Sequence, residues 1–207
     1  MTDIVAIDGP AGSGKSSVAK TLAKELGFLH VDTGAIYRTL AHAAIEAGIS
    51  LSDPEAVSQL AASVVQINTS SEIRTEKIGA AASHISQYPE VRANLLDLQR
   101  RFGLSSKTGA VLEGRDIGTV VFPDAKFKFF LTASPEQRAK RRLLELEQRG
   151  ESANYEEVLR KLKERDDRDK NRAIAPLIPA QDAIFIDTSN SSLEQVVAQI
   201  IQLIKDA

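Results

Sequence analysis

Residues 9–16 read Gly-Pro-Ala-Gly-Ser-Gly-Lys-Ser, a complete G-x-x-x-x-G-K-[ST] pattern. The short apolar run Ile4-Val5-Ala6-Ile7-Asp8 precedes it, and a helical pattern from Val18 to Gly27 follows. A strand, a glycine-rich turn and a helix start aim several backbone N–H groups at one phosphate group. Gly9, Gly12 and Gly14 permit the close wrap because no Cβ stands in the way. With Pro10, Ala11, Ser13 and Ser17 they form the expected triphosphate-binding stretch. In it Lys15 reaches the β- and γ-phosphates and the Ser16 hydroxyl holds Mg2+. The stretch implies a site for a nucleoside triphosphate.

Working outward, short apolar runs alternate with helical patterns. Strands are expected at Ile4–Asp8, Phe28–Val31, Ala110–Leu112, Lys126–Leu131 and Ala183–Ile186. Helices are expected near 15–27, 34–48, 53–65, 73–87, 90–102, 135–149, 155–169 and 192–205. Three helix starts read as capping boxes: Ser52…Glu55, Ser134…Gln137 and Ser191…Glu194. This alternation predicts an α/β fold, a five-stranded parallel sheet wrapped by helices. Ligands in such folds gather at the carboxyl ends of the strands, where Asp8, Asp32, Glu113 and Asp187 stand. Residues 34–103 are almost wholly helical between the second and third strands, enough for a second-substrate pocket. Residues 146–155 form a polar, glycine-containing break between two charged helices. The expected organisation is a core of 1–33 and 104–207, an insertion of 34–103 and a lid segment at 146–155.

Composition narrows the function classes. The 207 residues are 43% hydrophobic and 26% charged, sufficient for a sizeable core, and the net charge of −2 gives no reason to expect nucleic acid as a partner. With no cysteine there is no thiolate metal site or thiol nucleophile, and three scattered histidines argue against a protein zinc site. No apolar run approaches the ~20 residues of a membrane span. A cytoplasmic monomer without membrane association is the expectation.

A triphosphate site alone leaves transfer, hydrolysis and switching open. The guanine-reading Asn-Lys-x-Asp pattern is absent, and the nearest match to a Walker B strand, Ile184-Phe185-Ile186-Asp187, comes very late. Instead, arginines stand beside carboxylates in three places: Asp32-Thr33-Gly34-Ala35-Ile36-Tyr37-Arg38, Glu113-Gly114-Arg115-Asp116-Ile117-Gly118-Thr119, and Glu164-Arg165-Asp166-Asp167-Arg168-Asp169-Lys170-Asn171-Arg172. Together with Thr119-Val120-Val121-Phe122-Pro123-Asp124-Ala125 and Asn171-Arg172-Ala173-Ile174-Ala175-Pro176-Leu177, they resemble the bacterial cytidylate kinase family over almost the whole chain.

The resemblance implies phosphoryl transfer from ATP, with Mg2+, to CMP or dCMP on a nucleoside-monophosphate-kinase fold. It implies that Arg38, Arg115 and Arg172 clamp the acceptor phosphate; guanidiniums hold phosphate oxygens bidentately and offset repulsion between two anions. Ser83, Arg92 and Asp116 are implied as base readers, with Arg165 and Asp169 on the ribose and Asp32 and Thr33 lining the same site. Tyr37 either stacks near the nucleotide or packs its helix. Arg141 and Arg142 are implied at the donor phosphates. The sequence does not identify the donor-base contacts, for which Arg149 and the Ala173–Pro176 loop are candidates. The chain departs from the family pattern at 63–71, where a shorter segment than usual joins two helices. Two other readings stay open at this point: a kinase for another small acceptor such as UMP or a shikimate-like metabolite, and a nucleotide-binding regulatory protein without turnover.

Overall fold

The computed structural model describes residues 3–68 and 70–206. Met1, Thr2, Thr69 and Ala207, which fall in the expected core and insertion ranges, lie outside the described residues. Five parallel strands form one sheet: β1 (Asp3–Asp8), β2 (Leu29–Asp32), β3 (Gly109–Gly114), β4 (Phe127–Thr132) and β5 (Ile184–Asp187), in the order β2-β3-β1-β4-β5. β1 is central and buried on both faces, which explains its unbroken apolar run. Its alternation divides the core. Val5 and Ile7 point toward helices α1 (Lys15–Leu26) and α8 (Leu193–Lys205), where they meet Val18, Leu22 and Ile200. Ile4 and Ala6 point to the opposite face, with Val31, Leu112 and Ile117.

Between β2 and β3 run α2 (Thr33–Glu46), α3 (Pro54–Ala62), a one-turn 3-10 segment (Ser71–Arg74), α4 (Glu76–Ile85) and α5 (Pro89–Leu104). They enclose a core of their own around Ile36, Leu40, Val57, Ile73, Ile85 and Leu95. After β4 come α6 (Pro135–Gln148) and α7 (Tyr155–Asn171), a hairpin whose charged helices share a small apolar seam of Ala139, Leu146, Val158 and Leu162. The expected break at 146–155 is the turn of this hairpin, with both ends of that range already helical.

Two of the three expected helix caps sit one residue later. Asp53, not Ser52, starts α3 by accepting from Ala56 N at 3.1 Å, and Pro54 takes the first helical position, where its missing N–H costs nothing. Ser192 and Gln195, not Ser191 and Glu194, form the box that opens α8. Ser134 caps α6 as expected.

Register aligns the strand ends that matter. Asp8 lies beside Gly114, and Asp32 beside Glu113, so the loops after β1, β2 and β3 open into the same space.

Candidate active site

The phosphate loop turns tightly off β1. A Cβ on Gly9 would stand 2.0 Å from the Leu131 carbonyl oxygen, so this position admits only glycine. Gly14 caps α1 in the left-handed region (φ 86), which delivers the helix start directly behind the loop. Lys15 is buried, and its Nζ donates to the Pro10 carbonyl at 2.7 Å. Burial, with Arg115 and Arg165 nearby, holds the Lys15 ammonium well below the usual lysine range despite the opposing charges of Glu113 and Asp8. A cation held against that penalty beside two others marks a place built for anionic charge.

The Ser16 hydroxyl donates to Glu113 Oε2 at 2.5 Å, and Glu113 Oε1 meets His30 Nε2 at 2.9 Å. Glu113 is therefore the strand-end carboxylate beside the phosphate loop. Asp187, the late Walker B match, is exposed at the sheet edge and accepts from its own neighbour Ser189 N.

A cleft of about 570 Å³ opens above this loop, between the 34–103 insertion and the α6–α7 hairpin. Ala11, Gly12, Gly14, Lys15, Ser16 and Ser17 line it; Gly9, Pro10 and Ser13 are buried and do not. Asp32, Thr33, Tyr37, Arg38, Ser83, Arg92, Arg115, Asp116, Arg165, Asp169 and Arg172 all border the same cleft. The three arginine–carboxylate segments, 134 residues apart from Arg38 to Arg172 (172 − 38), are thus brought to one wall.

That wall is interlocked. Arg38 Nη2 donates to Asp32 Oδ2 at 2.7 Å, and Asp32 Oδ1 caps α2 at Ala35 N. Arg115 Nε donates to Asp169 Oδ2 at 2.9 Å. Burial alone would raise Asp169, but Arg115, Arg165 and Arg172 outweigh it and keep the carboxylate below its ordinary value. Arg92 donates to Asp116 Oδ2 in a buried pair, with Arg172 Nη2 3.8 Å from the other oxygen, and the Arg92 guanidinium lies 5.7 Å over the Tyr37 ring. Arg172 is braced by donating through Nε to the Ala175 carbonyl at 2.5 Å; Ala175 has a positive φ of 49. Ser83 Oγ lies 3.4 Å from Asp169 Oδ1 and 3.3 Å from Arg168 Nη1.

These bonds do not exhaust the guanidiniums. Arg38 Nε, Arg165 Nε and Arg172 Nη2 are buried without an acceptor within hydrogen-bond distance among the described residues, the last two with carboxylate oxygens at 3.9 Å and 3.8 Å. Buried N–H groups on charged side chains are costly to leave unmet. The other nitrogens of these arginines, with those of Arg92 and Arg115, gather positive charge along one cleft, which suits an anionic ligand.

The two hairpin arginines expected at the donor phosphates divide. Arg142 borders the cleft and donates through Nε to Glu76 Oε1 at 2.7 Å, joining the hairpin to the start of α4. Arg141 does not border it; it donates to the Thr188 hydroxyl at 2.9 Å and to the Thr188 carbonyl, over Gly14. Arg149 also borders the cleft and donates to the Arg74 carbonyl at 2.8 Å, on the insertion side. Sequence reading missed Glu76 and Arg74, which line the cleft from the short segment after residue 63, and assigned no role to Glu113 or His30. Arg74 Nη2 stands 3.6 Å from Asp32 Oδ2. Glu113 announced itself only by standing at a strand end.

A parallel sheet of this order, a phosphate loop on its central strand and an arginine-walled cleft under a helical hairpin define a P-loop kinase. The family model described as cytidylate kinase matches residues 5–206. A cytidylate kinase of Citrifermentans bemidjiense is 48% identical across 98% of this chain and 93% of its own length; one from Pasteurella multocida is 43% identical across 98% and 95%. The chain belongs to the cytidylate kinase family. A solved structure of an uncharacterized protein from Eubacterium ventriosum, 16% identical and covering 100% of both chains with a TM-score of 0.54, shares the fold.

Proposed function

We propose that this chain transfers the γ-phosphoryl group of ATP to CMP and dCMP, giving ADP with CDP or dCDP. The observation that carries the reading is the wall of arginines opposite the phosphate loop: Arg38, Arg92, Arg115, Arg165 and Arg172 border one cleft with Lys15. A triphosphate site needs no such wall; an acceptor that is itself a phosphate does.

In this reading the 34–103 insertion holds the monophosphate and the α6–α7 hairpin is the lid. Arg38, Arg115 and Arg172 grip the acceptor phosphate and set its attacking oxygen in line. That oxygen is already ionised, so no general base is required. Asp116 accepts from the cytosine amino group and Arg92 donates to the adjacent acceptors, with Ser83 beside them. Uracil presents a carbonyl where cytosine presents its amino group, so Asp116 would oppose it by repulsion as well as by a lost bond. Arg165 and Asp169 face the ribose. Lys15 and the phosphate-loop N–H groups hold the donor phosphates, and Arg142 lies where the transferred charge develops, released from Glu76 as the nucleotide enters. Arg141, tied to the Thr188 loop over Gly14, supports the donor side from behind.

The hydroxyl of Ser16 and the carboxylate of Glu113 are hard oxygen groups in contact, a donor set that suits Mg2+. Bound there with ATP, the ion supplies neutralisation of the β- and γ-oxygens. A cytoplasmic, monomeric enzyme fits this chemistry, and among the described residues no helix is long and apolar enough to cross a membrane.

The test is ADP release from ATP over CMP, dCMP, UMP, AMP and GMP, with shikimate as a non-nucleotide control. Turnover is expected with CMP and dCMP well above UMP. Turnover with none of them, or with shikimate alone, overturns the reading.

A further inference from the structure

Asp8 ends β1, directly before the phosphate loop, yet it does not border the cleft. It is buried at 5% exposure. Its two carboxylate oxygens point across to the loop after β3: Oδ1 accepts from Ile117 N and Oδ2 from Gly118 N, each at 2.8 Å. These N–H groups open the turn of π helix at Ile117–Val121, whose own preceding residue, Asp116, makes no side-chain cap. Asp116 instead aims its side chain at Arg92. The far end of the same turn is held from α5, where Arg100 donates to the Val121 carbonyl at 3.0 Å and the Val120 carbonyl at 3.3 Å.

We propose that Asp8 is a positioning residue for acceptor recognition: its carboxylate fixes the Arg115–Asp116 loop onto the strand that launches the phosphate loop, tying the base reader to the donor site. This rests on the reading of Asp116 and Arg115 given above. The physical case is one of leverage. Asp116 can discriminate an amino group from a carbonyl only if its oxygens stay in place. Its carbonyl accepts from Val120 N at 2.9 Å and Val121 N at 3.2 Å, but its side chain caps nothing at the turn's start, so the first two N–H groups of the turn are held from Asp8. Asp8 supplies two charge-assisted bonds to the two residues that follow it. The turn packs closely here: a Cβ on Gly118 would stand 3.2 Å from Lys128 Cδ and 3.5 Å from Asp8 Oδ2.

The arrangement also makes recognition sensitive to acid. The groups facing Asp8 are Lys15 from α1, Asp116 from the loop and the Lys128 stem from β4, with Glu113 of β3 acting through Lys15. Burial raises Asp8 from 3.8 to about 6, the two backbone bonds opposing it and Asp116 adding to it. Protonation removes the charge from both oxygens and leaves the hydroxyl oxygen a poor acceptor, so the two backbone bonds weaken, one of them strongly. Because the folded value is raised, protonation does not cost stability; acid should loosen the reader while the fold holds.

The experiment measures kcat and KM for CMP, UMP and ATP in the unaltered protein and in Asp8→Asn, at pH about 5.5 and about 7.5. The acceptor phosphate itself titrates near pH 6, equally in CMP and UMP, so the ratio of the two kcat/KM values cancels it. In the unaltered protein this ratio should fall as pH drops through about 6. In Asp8→Asn it should be lower than the parent's by roughly tenfold or more at pH about 7.5, with KM for CMP raised and KM for ATP nearly unmoved, and should change little with pH, so that the gap to the parent narrows at pH about 5.5. A purely structural role would move the ATP and CMP constants together. Should the variant fail to fold, the pH dependence of the unaltered protein decides alone. A pH-independent ratio in the unaltered protein, or a variant that keeps the original ratio, overturns the positioning role. Absence of CMP turnover in the unaltered protein overturns the kinase reading, and this role with it.

Discussion

The two walls of the cleft are built on opposite plans. In the proposed reading the donor wall is mostly backbone: glycines, a helix start, and a buried cation, Lys15, that donates to a neutral carbonyl. The acceptor wall is mostly side chain, and its guanidiniums are held by carboxylates before substrate arrives: Arg38 by Asp32, Arg115 by Asp169, Arg92 by Asp116. A triphosphate has the same shape for every nucleoside, so backbone N–H groups in a fixed turn suffice for it. The acceptor must be told apart by its base, and discrimination needs side chains that cannot swing. Carboxylate partners pre-orient them and reduce what binding must order. Removing the donor cation should therefore abolish chemistry and leave the fold intact, whereas altering the acceptor wall should change both chemistry and stability.

The largest effect is expected at Lys15. Lys15→Met should lower kcat by roughly 10³ or more, by loss of a preorganised charge on the transferring group. It should not lower Tm in the absence of nucleotide, because the native state holds this ammonium against burial. The sign follows from linkage. A lysine lowered in the fold binds fewer protons there than in the unfolded chain, so stability should rise with pH toward the ordinary lysine value of 10.5. Thermal melts across that range should show a shallower rise in the variant. A variant that melts lower than the parent would erase the contrast between the walls.

Next come the acceptor arginines. Arg38→Met or Arg172→Met should reduce kcat by roughly 10² while leaving ATP binding, read by titration calorimetry, almost unchanged. If ATP affinity collapsed instead, the division of the cleft into donor and acceptor halves would be wrong. Arg172→Met carries the added cost of a buried site, since Asp116 and the Ala175 carbonyl both lose its charge.

Asp116→Ala is smaller in rate but more specific. CMP turnover should drop and the CMP-to-UMP ratio should narrow by about tenfold to a hundredfold. The substitution also leaves the buried Arg92 without its partner, a loss on the order of 3–5 kcal/mol, so Tm should fall markedly. An unchanged ratio in a variant that remains folded would sink the base-reading role.

This contrast also explains what was legible in the sequence. The donor wall is contiguous, so Gly9–Ser16 could be read as one pattern, with its strand and helix on either side. The acceptor wall comes from α2, α4, α5, the β3 loop and α7. Its arginine–aspartate segments were recognisable one at a time, but which carboxylate holds which guanidinium was not. Asp32–Arg38 is local; Arg115–Asp169 spans 54 residues and Arg92–Asp116 spans 24. The misplaced caps at Ser52 and Ser191 show the limit of short patterns, since Asp53 and Ser192 compete for the same role one residue away. Asp8 and Glu113 read only as carboxylates at strand ends, because their partners lie across the sheet. Asp187 read the same way and lies at an exposed edge.

The smallest effect concerns the contact between the walls' outer parts. Glu76, at the start of α4, accepts from Arg142 of the hairpin, and Arg149 reaches the Arg74 carbonyl beside it. These tie the 34–103 segment to the α6–α7 hairpin at the rim of the cleft. Glu76 is 45% exposed, so the pair adds no more than about 1 kcal/mol of stability. Yet Arg142 cannot serve Glu76 and a developing phosphoryl charge at once. Glu76→Gln should leave Tm within about a degree or two and lower KM for ATP by roughly two- to fivefold, by freeing Arg142 from a competitor. A raised KM for ATP would mean that Glu76 holds Arg142 in its working position, and the acceptor side would then orient part of the donor site as well.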